Sequence, residues 1–175
     1  IGIVQGVDFA PAYVAHAAGT NQDPRVQFQV GDACALDFAD ASFDHTLSLL
    51  VLQFVPRFER AISEMRRVTR PGGTVAAAVW DTRGGFVTYR MFFDTAAMLD
   101  PAAAERRRRV YTRPLSRPGE LASAWQKAGL HDVSQETRTI RMGFAGLADD
   151  LAPGACKDGP IADYVGTLAP DMNTR

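Results

Sequence analysis

The run VQFQVGDACALDFADASFDHTLSLLVLQFVPRFERAISEMRRVTRPGGTVAAAVW, residues Val26–Trp80, decides the fold. It opens on an alternating apolar segment, Val26–Val30, that ends in Gly31-Asp32. A second apolar run extends from Phe43 through Val51. An amphipathic stretch with Phe58, Ile62, Met65 and Val68 follows, then Arg70-Pro71-Gly72-Gly73 and a third apolar run, Thr74 to Trp80. Strand, strand, helix, turn and strand at such short separations predict an α/β fold, a Rossmann-like doubly wound and mostly parallel sheet in three αβα layers. Open sheets of this kind bind ligands outside the carboxyl ends of their strands. Acids stand at those ends: Asp8 after Val4–Val7, Asp32 after Val26–Val30, and Asp81 after the run that closes at Trp80.

Working outward, Ile3–Asp8 predicts a short buried strand, and Pro11 suits the first turn of a helix whose inner face is Tyr13, Val14 and Ala17. Thr46–Val51 is too uniformly apolar for a half-exposed strand and is expected to be central, covered on both faces. In the helix that starts at Pro56-Arg57, the apolar positions fall three or four apart. Glu59, Arg60, Glu64, Arg66 and Arg67 are expected to face water. Pro71-Gly72-Gly73 is expected to end that helix. Downstream, Phe86–Leu99 and Pro118–Ala128 read as helices, Val133–Met142 as a strand, and Asp149–Leu151 and Ile161–Leu168 as short helices.

The chain has 175 residues, 46% of them hydrophobic and 22% charged, enough for a proper core. A net charge of −1 gives no overall pull toward nucleic acid or an anionic membrane. Two cysteines, Cys34 and Cys156, make neither a disulfide framework nor a metal-ligand spacing, which favours a reducing, cytoplasmic setting. No apolar run is long enough to span a bilayer. His16, His45 and His131 show no spacing for a metal or a triad. Arg106–Arg109 reads as a solvated helix or loop face, with binding of an anionic substrate as the alternative.

An acid that follows a strand and precedes a helix, as Asp8 does, can accept hydrogen bonds from both hydroxyls of a ribose. It can equally serve as a helix N-cap. Asp32 can accept the exocyclic amine of an adenine, or simply close a turn. The aromatic stripe Phe86, Tyr89, Phe92 and Phe93 is core packing by default, with substrate lining as the alternative.

Gly6–Pro11, Val30–Ala33, Phe38–Asp44, Leu50–Pro56 and Glu64–Thr74 occur in an order that resembles the class I S-adenosylmethionine-dependent methyltransferases, in the small-molecule branch termed type 11. The resemblance covers Val4 to about Trp80 and, more weakly, Pro118–Ile140. It implies S-adenosylmethionine as cofactor, with Asp8 on the ribose, Phe9 packed on the adenine, and Asp32 and Ala33 at the adenine edge. Leu49, Leu50 and Gln53 would approach the methionine half, although Gln53 replaces the histidine often found there. Asp81, Phe86, Tyr89 and Tyr111 are the substrate-lining candidates; the sequence names no catalytic base and no metal.

The expected domain is residues 1–142, with 82–117 as substrate cover and 143–175 as an extension of the same domain. The expected partner is a small-molecule substrate, with no nucleic acid and no membrane, and a homodimer is admitted. The family's first strand and glycine-rich loop have no counterpart after Ile1. About 40–80 further residues are therefore expected before it, within ordinary domain size. Without them, the strands ending at Asp8 and Leu50 are each expected to lack a neighbour. Two alternatives stand beside the methyltransferase: a non-catalytic binding module of the same fold, and a nicotinamide-dependent oxidoreductase, which the absence of a Tyr-x-x-x-Lys pair disfavours.

Overall fold

The apolar segments become strands and the amphipathic ones helices in a computed structural model of the chain, which describes residues 2–82, 84–140 and 160–168. The order is β1 (Val4–Asp8), α1 (Pro11–Thr20), β2 (Val26–Val30), β3 (Phe43–Leu49), α2 (Phe58–Val68) and β4 (Thr69–Ala78). A turn of 3-10 helix, Leu52–Phe54, lies between β3 and α2. Then come α3 (Val87–Leu99), α4 (Pro101–Tyr111), α5 (Glu120–Lys127) and α6 (Pro160–Val165). The chain divides into two compact units, one of residues 1–79 and 122–133, the other of 80–121 and 134–175.

In the first unit, β1 pairs with β2 in parallel from Val4↔Val26 to Asp8↔Val30, with α1 against the pair. β3 pairs with β4, also in parallel, from His45↔Thr74 to Leu49↔Ala78, with α2 against that pair. The two pairs share no ladder, so β1 and β3 each have one edge without a strand neighbour among the described residues.

Several expectations need correction here. Thr46–Val51 is not covered on both faces. Leu47 and Leu49 are each 73% exposed, and Thr46 and Ser48 take the more buried positions. The physical reason is that Leu47 and Leu49 share one face of β3, which no described element covers, while Thr46 and Ser48 lie on the other. Tyr13 is exposed, while Val14 and Ala17 are half-buried, so α1 buries less than expected.

Pro71-Gly72-Gly73 does not end α2. Val68 does, with the Thr69 hydroxyl donating to the Met65 carbonyl at 2.7 Å, and β4 starts at once. Residues 70–73 bulge opposite Asp44, with Gly72 at φ +76°. A methyl group on Gly73 would sit 2.6 Å from the Asp44 carbonyl oxygen, so the close approach requires glycine there. Finally, residues 133–140 form no strand, since they have no ladder partner and, after Val133, lie exposed. Residues 141–142 and the expected helix Asp149–Leu151 lie outside the described residues.

The face of α2 is also divided differently from expectation. Ala61, Ile62, Met65 and Val68 are buried as the apolar stripe. A polar row runs directly beside it, at residues 57, 60, 64 and 67, and grips the loop 32–40. Glu64, with a side chain only 5% exposed, accepts from the Leu36 N–H at 3.0 Å. Arg67 donates to the carbonyls of Leu36 and Phe38, both at 2.8 Å, to Asp40 at 2.7 Å, and to Glu64. Arg60 donates to the Cys34 carbonyl at 3.2 Å. Glu59, Arg60 and Arg66 do face water, and only Glu64 and Arg67 of the expected outer residues are drawn in.

In the second unit, Phe93, Ala103, Val110, Ile161 and Tyr164 form the buried cluster, with Tyr89, Phe92 and Tyr111 packed on it. Asp100 caps α4 by accepting from the Ala102 N–H and also accepts from the Tyr164 hydroxyl at 2.8 Å. Burial, reinforced by that bond to the carboxylate, pushes the Tyr164 phenol up to about 12. No helix among the described residues is long and apolar enough to cross a membrane.

The Arg67 contact holds the Glu64 carboxyl below its ordinary value of 4.5, against the opposing effect of burial and with help from the Leu36 N–H. A carboxyl depressed on folding contributes its stability fully above that ordinary value and loses it as the pH falls through the folded value. The free energy of unfolding of the native chain is therefore expected to drop on acidification below about pH 4.5. In Glu64→Gln, this part of the acid limb should flatten while the neutral-pH stability falls by about 1–3 kcal/mol. Urea titrations at a series of pH values check both; an unchanged acid limb in the variant contradicts the assignment.

Candidate functional site

Parallel pairing of β1 and β2 brings two of the strand-end acids to one edge. Asp8 is in register with Val30, and Asp32 follows two residues on. The crossing is tight: the Gly31 N–H donates to the Asp8 carbonyl at 3.0 Å, and a methyl on Gly31 would lie 2.8 Å from Val7 Cγ1. The two aspartates are built alike. Asp8 Oδ1 accepts from the Ala10 N–H at 2.8 Å, and Asp32 Oδ1 accepts from the Cys34 N–H at 2.7 Å. Both therefore close turns two residues long, as the structural alternative in the sequence had it.

That role occupies one carboxylate oxygen in each. Asp8 Oδ2 has no partner among the described residues, and Asp32 Oδ2 faces the guanidinium of Arg57 at 3.5 Å. The edge presents two carboxylates in fixed orientation, suited to receive hydroxyl or amine donors. Phe9 extends from it and is 78% exposed, and Ala33 is half-buried. Cys34, buried behind the turn, donates its thiol to the Arg57 carbonyl at 3.4 Å, and burial pushes that thiol up, which leaves it protonated and structural.

Leu49, Leu50 and Gln53 occupy the carboxyl end of β3 and the 3-10 turn after it, in three different environments. Leu49 is exposed, Gln53 is 2% exposed, and Leu50 sits between them at φ +58°. Leucine is rarely found in that left-handed region. The Leu50 N–H donates to the Ala78 carbonyl at 2.8 Å, extending the β3–β4 ladder by one bond past the kink. Strain of this kind persists where the surroundings hold it, and it clusters at binding sites.

The substrate-lining candidates all belong to the second unit. Asp81 Oδ1 accepts from the Gly84 N–H at 2.6 Å, and its carbonyl accepts from Gly85 and Phe86. Phe86 packs on Trp80 at 5.1 Å and on Tyr89 at 4.4 Å between ring centroids. Tyr89 stacks on Phe93 at 6.3 Å, and Tyr111 lies against the same cluster. These aromatics are thus packed into the unit's own core.

The Arg106–Arg109 run is engaged within its unit. Arg106 lies over the Tyr164 ring, Arg107 pairs with Asp94, and Arg108 and Arg109 both pair with Glu105, whose carboxyl they hold down to about 2. The alternative of an anion-binding run finds no support in these contacts. Among the described residues no group of three or more His, Cys, Asp or Glu could hold a metal ion.

Sequence reasoning missed the row Arg57, Arg60, Glu64 and Arg67. Its signal was present, since the spacing of three, four and three is that of one helical stripe, displaced by one residue from Phe58, Ala61, Met65 and Val68.

A family model described as a methyltransferase domain matches residues 2–77. A demethylmenaquinone methyltransferase of Roseiflexus castenholzii is 31% identical over 162 residues, covering 87% of this chain and 67% of that protein. An uncharacterized protein of Mycobacterium bovis is 38% identical over 72 residues, 41% of this chain and 26% of that protein. Among solved structures, a complex of the Haloferax volcanii Trm112 methyltransferase activator with a methyltransferase matches at a TM-score of 0.59 and 25% identity, covering 78% of this chain and 54% of that one. The chain thus spans about a quarter to two thirds of the length of these relatives.

Leu50→Val is expected to destabilise the protein by about 1–3 kcal/mol, because a β-branched residue is still less compatible with positive φ. Leu50→Asn, which tolerates that region, should cost less despite the lost apolar contact. Chemical denaturation orders the two; equal losses would show that burial, not backbone conformation, governs the position.

Proposed function

Because the chain belongs to the class I S-adenosylmethionine-dependent methyltransferases, we propose that the protein transfers a methyl group from S-adenosylmethionine to a small-molecule acceptor. The observation that carries this reading is the pair of like-built aspartates at one edge of β1–β2, each held by a backbone N–H through a single oxygen. The donor set fits the cofactor. Asp8 would hold the ribose hydroxyls through its outward oxygen, and Asp32 with the Ala33 N–H would take the adenine edge. The exposed ring of Phe9 supplies an apolar face for the base. Leu49, Leu50 and Gln53 would take the methionine half, and residues 82–117, with Asp81, Phe86, Tyr89 and Tyr111, would form the substrate cover.

When bound, the cofactor supplies a sulfonium methyl that is already electrophilic. The chain's residues are left with binding, orientation and exclusion of water, effects that contribute roughly 7–11 kcal/mol in well-aligned reactions. No triad is needed for such chemistry. The nicotinamide-dependent alternative is set aside by family membership. The Roseiflexus relative's name makes demethylmenaquinone the first acceptor to assay.

Calorimetric titration of the full-length protein tests the cofactor assignment. Asp8→Ala and Asp32→Ala are each expected to fold and to bind S-adenosylmethionine about 1–3 kcal/mol more weakly, the scale for a charged partner removed from a polar group. Unchanged affinity in both variants, or tighter binding of a nicotinamide dinucleotide, would refute the assignment. A protein that binds the cofactor yet methylates nothing would instead point to a binding module.

A further inference from the structure

We propose that the polar row of α2, Arg57, Arg60, Glu64 and Arg67, is a positioning device that sets the adenine-reading turn Asp32-Ala33-Cys34. The inference rests on the adenosine assignment made above. The turn belongs to a loop, residues 32–40, whose shape is not fixed by any strand ladder. Its regular pairing is one isolated bridge, Asp32↔Ala35. The row replaces a ladder. Glu64 takes the N–H of Leu36 while Arg67 takes its carbonyl, so the two ends of an ion pair bind both polar groups of one residue, as a neighbouring strand would. Bonds to charged partners are about twice as strong as neutral ones, so this substitute ladder is a stiff one.

The coupling to the ligand side runs through Cys34. Its N–H fixes the Asp32 carboxylate, its carbonyl accepts from Arg60, and its thiol donates to the Arg57 carbonyl. Arg57 itself stands 3.5 Å from the outward oxygen of Asp32. Where the row holds Cys34, the orientation of Asp32 and of the Ala33 amide between them is settled. A purely structural tie would need only Arg67, Glu64 and Leu36. It would not extend the same stripe to the residue whose amide orients Asp32.

The test uses S-adenosylhomocysteine and S-inosylhomocysteine, which carries a carbonyl in place of the exocyclic amine, titrated into the full-length protein well below its unfolding temperature. The wild type is expected to prefer the adenosyl ligand by about ten-fold or more, as sites built for a polar group do. In Arg67→Met the adenosyl affinity should fall by about ten-fold and the preference should narrow, with Arg67→Lys recovering part of both. Arg60→Met should show the same pattern at roughly three-fold. Arg70→Met, which removes an exposed pair with Asp44 away from the loop, should stay within about two-fold of wild type.

A lowered melting temperature in Arg67→Met with affinity and preference unchanged overturns the proposal, since a merely structural role predicts that result. If Arg67→Met does not fold, Arg67→Lys and Arg60→Met decide by the same criterion. A wild type that binds neither ligand refutes the adenosine assignment itself, and this proposal with it. A wild type that binds, with a row that does not matter, refutes only the row.

Discussion

The ion pair between Glu64 and Arg67 is the interaction on which the first unit depends. β1–β2 and β3–β4 share no hydrogen bond of a ladder, and the chain passes from one to the other through the loop 32–40. α2 packs on the second pair and binds that loop through both charges. Burying a carboxylate costs several kcal/mol unless it is paired and its remaining lone pairs are used. Here Arg67 and the Leu36 N–H use them, and Arg67 spends its other donors on the Leu36 and Phe38 carbonyls and on Asp40. A pair so fully committed specifies one loop conformation, because any other leaves a buried charge without a partner.

Stability and binding draw on the same groups at the sheet edge. Each strand-end aspartate gives one oxygen to the turn that follows and keeps the other outward. The turn is therefore more than a structural alternative to a ligand role; it is what fixes the direction of the second oxygen. Preorganised acceptors of this kind lose little rotamer freedom when a ligand arrives. The same economy appears at Asp100, which caps α4 and also anchors Tyr164 of α6.

The second unit is organised by rings. Trp80, Phe86, Tyr89, Phe93, Phe92 and Tyr164 follow one another in edge-on, tilted and stacked contacts at centroid separations of 4.4–6.3 Å. Arg106 covers the last ring, and its neighbours in the arginine run are neutralised by Asp94 and Glu105. A run of four like charges is tolerated on one helix because helical geometry spreads them over three partners, the Tyr164 ring, Asp94 and the Glu105 that Arg108 and Arg109 share.

Periodicity in the sequence determined the elements, because apolar spacing of two or of three to four residues reflects which backbone conformation can bury a face. The four strands of the first unit, the helix Val87–Leu99 of the second, and the placement of Asp8 and Asp32 at strand ends were all legible in that way; the helix Pro101–Tyr111 was not, because its arginine run carries no apolar period. The family was legible too, in five ordered blocks. Spacing along the chain does not encode which polar residues meet across it. Thus the grip of α2 on the loop, the capping of α2 by Thr69 and not by Pro71-Gly72-Gly73, and the kink at Leu50 were decided by tertiary structure. The exposure of Leu47 and Leu49 belongs with them. An apolar run states what a strand would bury, but only the neighbours present on its edges and faces settle whether it is buried.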